Sequence, residues 1–335
     1  VRVAVTTRIN EPLDIVDVPD PTPGPGELVL AVEACGICGS DLHLHGALDI
    51  PDMTLGHEFC GQVVGVGSDV EGWSEGQRAV GLSLATCGTC DACKAGLVRK
   101  CTAAQMIGVE RQGAFAEQLT IPAHNALAIP AGFSADLGAL VEPLAVARHA
   151  VERAGAVKGQ HTLVLGAGPV GLAVALWLRH EGAASVTVSD PAVERREQAK
   201  GYGIDAAFDP TLGDLAEAVA AEVGAAPSVV VECVGLPGLI ESGSAVAATD
   251  GRVVVVGVCF SEDTIVPLTA MSKELDISYA FYYRQQDMEA TLRALHEGTL
   301  DASAMVTGHV SLDELPDRFQ ALKSPSTDVK VMITP

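Results

Sequence analysis

His161-Thr162-Leu163-Val164-Leu165-Gly166-Ala167-Gly168-Pro169-Val170-Gly171 is the stretch that decides the fold. A short apolar run leads into three glycines spaced G-x-G-x-x-G, and a helical pattern continues to His180. The glycine pattern alone is weak. It gains force because a strand precedes it, a helix follows it, and a second strand, Ser185-Val186-Thr187-Val188-Ser189-Asp190, ends in an acid. Each glycine has a task. Gly166 makes the tight turn, Gly168 lets a pyrophosphate approach the backbone, and Gly171 permits close helix–strand packing. Pro169 suits the first helical position, where its missing N–H costs nothing. The helix N-terminus then faces the phosphates. Asp190 is placed to accept hydrogen bonds from ribose hydroxyls and to repel a 2′-phosphate, so NAD is expected over NADP. Arg195 and Arg196, close behind, are the residues that would hold such a phosphate.

Outward from this unit the same grammar repeats. A helix is read over Leu140 to Arg153 and another over Ala192 to Tyr202. Further buried strands are read at Ser228 to Glu232 and Arg252 to Val256. Continuous apolar strands alternating with helices predict a doubly wound parallel sheet, an α/β architecture. The first 135 or so residues read differently. They are rich in Gly, Pro and Val, with a turn tract at Pro19 to Gly26 and apolar stretches at Leu28 to Val32 and Gln62 to Val66. Short strands with long loops are expected there. After Phe281 the pattern shows one helix, Asp287 to His296, and a closing strand, Lys330 to Ile333.

Bulk composition narrows the function classes. The 335 residues are 48% hydrophobic and 19% charged, enough for sizeable cores. Twenty-one Lys+Arg against 43 Asp+Glu leave a net charge of −22. Such a surface repels phosphate backbones and anionic lipid, so neither nucleic acid nor membrane is an expected partner. The longest apolar run, Leu163 to Leu178, is too short to span a bilayer. The opening Val1-Arg2-Val3-Ala4-Val5 reads as a strand rather than a targeting segment. Nine cysteines without a secretory signal point to a reducing, cytoplasmic compartment, where thiols serve metals rather than disulfides.

Cys87, Cys90, Cys93 and Cys101 are spaced C-x2-C-x2-C-x7-C. Four thiolates so close in sequence can close a tetrahedron around Zn²⁺ and leave no open position, which makes that zinc structural. The spacing fits neither ferredoxin pattern. A second constellation comprises Gly36-Ile37-Cys38-Gly39-Ser40-Asp41-Leu42-His43, Gly56-His57-Glu58, and Glu142. A Cys, a His and a carboxylate form a three-ligand set with room for substrate, the open arrangement of a catalytic zinc.

In order and spacing these motifs resemble the zinc-containing medium-chain dehydrogenase/reductase family, nearest its sorbitol and threonine dehydrogenase-like branch. The resemblance spans almost the whole chain. It also takes in Glu142-Pro143-Leu144, Asp190 with Arg195, and Phe281-Tyr282-Tyr283. It implies a mainly-β GroES-like catalytic domain over 1–142 and 281–335, with a structural zinc lobe at about 85–102. A Rossmann domain over 143–280 would lie between them. It implies that Cys38 and His57 hold the catalytic zinc, with Glu142 in the third ligand position. Glu58 would be a ligand or an exchangeable neighbour. Asp41 would fix the His57 imidazole, Ser40 would bond the substrate oxygen, and His43 would pass the proton on. Val170, Asp190, Arg195 and the Gly257-Val258-Cys259 loop match cofactor contacts.

The implied reaction is reversible hydride transfer between a small alcohol, secondary or diol, and NAD, with zinc at each of the two metal sites. A polyol, sugar or threonine dehydrogenase, or a carbonyl reductase, is the alternative. A homo-oligomer, tetramer or dimer, is expected. Polyol dehydrogenases carry Arg where this chain has Tyr282, a departure that bears on substrate. Cys35, Cys60 and Cys233 read as packing residues and His45 as a surface residue.

Overall fold

The computed structural model describes residues 1–324 and 326–335. The chain divides into two compact units. One comprises Val1–Glu142, Arg284–His296 and Met305–Pro335, the other Pro143–Tyr283 and Glu297–Ala304.

The second unit is built on a sheet that, among the described residues, has six strands, all parallel. In spatial order they are Ala206–Phe208, Ser185–Ser189, His161–Leu165, Val229–Glu232, Arg252–Val255 and Asp276–Tyr279. Leu163, Val164, Val188, Val230, Val231 and Val254 are fully buried, as expected of strands covered on both faces. Helix Pro169–His180 lies on this sheet. Leu172, Val174, Trp177 and Leu178 are buried, and the Trp177 indole donates to the Leu144 carbonyl at 2.9 Å. The order reverses at the first strand. From His161–Leu165 the chain builds outward to Ser185–Ser189 and Ala206–Phe208, then returns to lay Val229–Glu232 on the other flank. The register puts Leu165 opposite Ser189 on one side and Glu232 on the other. Asp190 and Glu232 therefore flank the glycine turn at the carboxyl ends of the strands, where ligands of such sheets bind.

The first unit is a mainly antiparallel sheet around Leu28, Leu30, Phe59, Phe115, Leu119, Ile121 and Phe319. Its central strand, Glu27–Gly36, pairs with Glu58–Val66, with Gln118–Pro122 and with the closing strand Lys330–Thr334. The closing strand also pairs in parallel with Val306–Ser311. The C-terminal segment is thus a strand of the N-terminal unit's sheet.

Several elements carried too little local signal to be read from sequence. Ala206–Phe208 and Asp276–Tyr279 are short edge strands, and helices Leu215–Val223 and Leu239–Val246 are also additions to the expected set. Helix Leu315–Ala321 and strand Val306–Ser311 likewise extend the expected C-terminal pattern. The helix read as Ala192 to Tyr202 is an α-helix only over Val193–Ala199, followed by a 3₁₀ turn, Lys200–Tyr202. His45 corrects a sequence expectation. It is 1% exposed rather than on the surface, with its ring edge-on to Phe319 and its Nδ1 2.8 Å from Lys323 Nζ. Its place on a helix face that packs against the C-terminal segment could not be read from the surrounding residues.

Candidate active site

Strand Glu27–Gly36 delivers the chain to Cys38, which caps helix Gly39–Ala47. Asp41, in the first turn of that helix, accepts the Cys38 backbone N–H at 2.9 Å through Oδ2. This reciprocal cap fixes the carboxylate, and its Oδ1 lies 3.3 Å from His57 Nδ1 and 3.4 Å from the Gly56 nitrogen. Gly56 adopts φ +95°, and a Cβ there would collide with the Phe115 ring, so the turn before His57 requires glycine. With Nδ1 committed to Asp41, the other ring nitrogen, Nε2, faces Ser40 Oγ at 3.4 Å. Ser40 and His43 are exposed, whereas Asp41 is fully buried.

The ligand atoms of Cys38, His57 and Glu58 all lie within 4.8 Å of one another. Burial acts to lower the His57 pKa, yet Asp41 and Cys38 outweigh it and hold the imidazole well above its ordinary value. A thiol, two carboxylates and an imidazole that gains from positive charge make a pocket suited to a cation. Glu142 opens helix Val141–Arg153 and is buried, but the group within 4.8 Å is completed by Glu58, not by Glu142.

Lys330 is the residue that sequence reasoning missed. Its ammonium donates to both Glu58 oxygens, at 2.7 and 2.6 Å, and to the Ile37 carbonyl at 3.2 Å. Both side chains are at most 2% exposed. Burial works to lower the Lys330 pKa, but the Glu58 charge prevails and raises it. Gly36, opposite Glu58 in the register, leaves room for the pair, because a Cβ there would collide with Glu58 Oε2. The only available clue was a lysine opening an otherwise apolar strand.

The four-cysteine lobe is assembled from a short helix and a turn. Cys90 caps helix Asp91–Lys94, which carries Cys93, and Cys101 follows the 3₁₀ turn Val98–Lys100. Sγ separations are 3.8 Å for Cys87–Cys93, 3.5 Å for Cys90–Cys93 and 3.6 Å for Cys87–Cys101. The edge of a tetrahedron with Zn–S bonds of ~2.3 Å is about 3.8 Å, so the donor set fits that ion. All nine cysteines are free thiols. Backbone N–H groups of Thr89 and Cys90 bring the Cys87 pKa down to about 5, favouring the thiolate that binds metal. Burial, with the neighbouring Cys90, pushes Cys93 up to about 11.

In the second unit the glycine motif behaves as its spacing requires. Gly166 has φ +98°, and a Cβ on Gly171 would strike the Gly166 carbonyl. At Gly168 a Cβ would meet only Arg195 Nη1, at 3.9 Å, which leaves the approach open. Asp190 accepts the Ala167 N–H at 3.0 Å and the Ala192 N–H at 2.9 Å, one with each carboxylate oxygen. Arg196 is held by the Asp190 and Pro191 carbonyls and by Asp209, whereas Arg195 reaches Asp190 only at 3.8 Å. Val170 is in the first turn of the helix, and Gly257, Val258 and Cys259 follow strand Arg252–Val255.

A parallel dinucleotide-binding sheet, a mainly-β unit bearing Cys38 and His57, and a four-cysteine lobe together define a zinc-dependent dehydrogenase. Comparison with known proteins agrees. Residues 24–131 match the alcohol dehydrogenase GroES-like domain and residues 169–297 the zinc-binding dehydrogenase model. L-threonine 3-dehydrogenase of Escherichia fergusonii is 32% identical over 326 residues, 95% of each chain. A Sinorhizobium meliloti protein solved with NADP superposes with a TM-score of 0.91 at 33% identity, covering 100% of this chain and 99% of that one. The 2R,3R-butanediol dehydrogenase of Bacillus subtilis gives a TM-score of 0.91 at 28% identity, with the same coverage. The chain belongs to the zinc-containing medium-chain dehydrogenase family, the alcohol dehydrogenase superfamily, and is an oxidoreductase. Among the described residues no helix is long and apolar enough to cross a membrane.

Proposed function

We propose that this chain is an NAD-linked dehydrogenase of small secondary alcohols or vicinal diols, acting reversibly. The observation that carries the reading is the grouping of Cys38, His57 and Glu58 within 4.8 Å, with Asp41 on the far nitrogen of His57. Cys38 and His57 would hold the catalytic zinc, with Glu142 in the third ligand position by resemblance and Glu58, which completes the observed group, as a further ligand or an exchangeable neighbour. The Cys87, Cys90, Cys93 and Cys101 thiols would hold a second, structural zinc. When bound, the catalytic ion supplies a Lewis acid that eases deprotonation of an alcohol and polarises a carbonyl. Asp41 fixes the tautomer of His57 and leaves Nε2 as its donor. Ser40 Oγ would hydrogen-bond the substrate oxygen, accepting its proton as it gives up its own, and His43, exposed two residues beyond Asp41, would pass that proton on. Nine unpaired thiols suit a reducing, cytoplasmic setting.

Asp190 supports NAD over NADP, since a buried carboxylate beside the adenosine ribose repels a 2′-phosphate. Replacing Asp190 by Ala is expected to narrow the NAD/NADP ratio of kcat/KM by about tenfold, the effect of removing one repulsion of about 1.4 kcal/mol. Asp190→Asn, whose single amide oxygen can still accept one of the two N–H groups of Ala167 and Ala192, should do the same with less loss of affinity than Ala. Equal efficiency with both dinucleotides in the unaltered chain would show that Arg195 outweighs Asp190.

Substrate choice turns on Tyr282. It lies at φ +57°, uncommon for an aromatic residue, with its ring 4.6 Å from that of Phe281 in an edge-to-face pair. A tyrosine offers one hydroxyl and an apolar ring where polyol dehydrogenases place a guanidinium. Arg284, the nearest substitute, is engaged by Asp287 at 3.1 Å through both Nε and Nη2. Without a free donor fork the site loses the pairing on which strong selectivity for a polyol depends. Oxidation of 2,3-butanediol and of a simple secondary alcohol is expected to exceed that of sorbitol by about tenfold or more in kcat/KM, read by nicotinamide absorbance. A preference for sorbitol or L-threonine overturns this, and Arg284→Ala then tests the substitute.

A homo-oligomer is part of the same reading. Strand Asp276–Tyr279 ends the parallel sheet, and Leu268, Met271, Tyr279 and Phe281 are each more than half exposed. An unpaired edge beside apolar side chains suits a second copy related by a two-fold axis. Light scattering on the purified chain should give a multiple of 34.5 kDa.

A further inference from the structure

Glu232 is the last residue of strand Val229–Glu232 and is 1% exposed. Its Oε1 accepts two backbone N–H groups of the turn that follows, Val234 at 2.7 Å and Gly235 at 2.8 Å. Its Oε2 lies against the next loop, since a Cβ on Gly257 would stand 2.6 Å from it. Gly235 adopts φ +78°, and a Cβ there would come within 2.6 Å of the Val258 backbone. On the other side Val234 abuts the dinucleotide turn, because a Cβ on Gly166 would meet its Cγ2 at 2.6 Å. Three loops at the carboxyl ends of adjacent strands therefore interlock around one buried carboxylate. They are the glycine turn, the turn 233–235 and the loop Gly257-Val258-Cys259.

The position has a counterpart. Ser189, the residue before Asp190, and Glu232 flank Leu165 at the point where the strand order reverses, and Asp190 and Glu232 each spend a carboxylate on backbone N–H groups of a ligand-facing turn. A dinucleotide seated across that crevice places its two halves on the two flanks. Asp190 serves the adenosine flank, so Glu232 belongs to the nicotinamide flank. Val234 and Val258, 42% and 51% exposed, offer apolar faces beside it. Nicotinamide is cationic in NAD⁺ and neutral in NADH, and a fixed anion in a weakly hydrated site discriminates between the two forms.

We propose that Glu232 is a cofactor-positioning residue. Its carboxylate holds the turn 233–235, which packs between the glycine turn and the Gly257 loop, and its charge favours the oxidised dinucleotide over the reduced one. The inference rests on the NAD reading given above, and it predicts a bias of the bound couple toward the state that accepts hydride from an alcohol.

The test measures dissociation constants of NAD⁺ and NADH separately, by calorimetry and NADH fluorescence, without turnover. Glu232→Gln keeps an oxygen to accept the Val234 and Gly235 N–H groups but removes the charge. It should lower the ratio Kd(NADH)/Kd(NAD⁺) by about tenfold, through weaker NAD⁺ binding. Glu232→Ala should shift the ratio equally and also weaken both ligands, because the loops are untied. Glu232→Asp, which keeps the charge, should stay near the original ratio. Reading both neutral variants, with circular dichroism of each protein, guards against misfolding of one. A ratio unmoved within about twofold in the neutral variants reduces Glu232 to a turn cap and overturns the inference. Failure of the unaltered chain to bind either dinucleotide would instead overturn the NAD reading, and this inference with it.

Discussion

Replacing Cys38 by Ser is expected to abolish turnover while leaving the fold intact. The loss should exceed about a hundredfold, since disturbing even an outer partner of a zinc ligand costs ~10–100-fold. If the proposed assignment holds, elemental analysis should show loss of one zinc, that assigned to Cys38 and His57, with the zinc assigned to the Cys87–Cys101 lobe retained. The reason is local. Cys38 is half-buried at the mouth of helix Gly39–Ala47, and its backbone N–H, not its thiol, is what Asp41 uses to cap the helix. Serine preserves that cap. Cys93→Ser should behave oppositely, with metal lost from the lobe and thermal stability reduced, because a closed four-thiolate site contributes folding energy. Turnover surviving in the Cys38 variant, or equal zinc loss from both sites, would remove the catalytic assignment.

The second large effect concerns stability. Lys330→Met should cost about 3–5 kcal/mol, because it strands the Glu58 carboxylate in the interior without its partner. The double variant Lys330→Met/Glu58→Gln should recover much of that, since replacing both members of a buried pair is far milder than breaking it. Urea unfolding followed by far-ultraviolet circular dichroism measures both. A single variant as stable as the parent would mean that Glu58 is neutralised by other means. The pair also bears on chemistry. With both oxygens bonded by Lys330, Glu58 sits beside Cys38 and His57 as an anchored carboxylate. Releasing it should change zinc affinity as well as stability.

Much of this protein was written locally. The G-x-G-x-x-G turn, its preceding strand and Asp190 lie within thirty residues of one another, and the Cys87–Cys101 lobe is shorter still. Backbone demands such as the positive φ of Gly166 admit few residue types, so the residue reports the geometry. Cys38 with Asp41, and His57 with Glu58, are likewise short motifs, each on one turn. The parallel sheet was legible because strands buried on both faces must be continuously apolar. By contrast, Ala206–Phe208, Asp276–Tyr279 and Val306–Ser311 lie at sheet edges and carry few fully buried side chains, and pairing rather than propensity makes them strands.

Only tertiary structure could decide the rest. Lys330 reaches Glu58 across 272 residues of sequence, and nothing in the closing strand names its partner. The partner follows from antiparallel pairing of Lys330–Thr334 with Glu27–Gly36, which brings a C-terminal lysine beside the strand that starts at Glu58. From sequence His45 reads as a surface residue, yet Phe319 and Lys323, from the far end of the chain, cover it. From sequence Glu232 reads only as the last residue of a buried strand. Its task appears only when three loops close over it. Sequence by itself determined the motifs whose chemistry is complete within one turn. The three-dimensional fold decided which distant charges meet, because that depends on strand order and register, to which residues far apart in the chain contribute jointly.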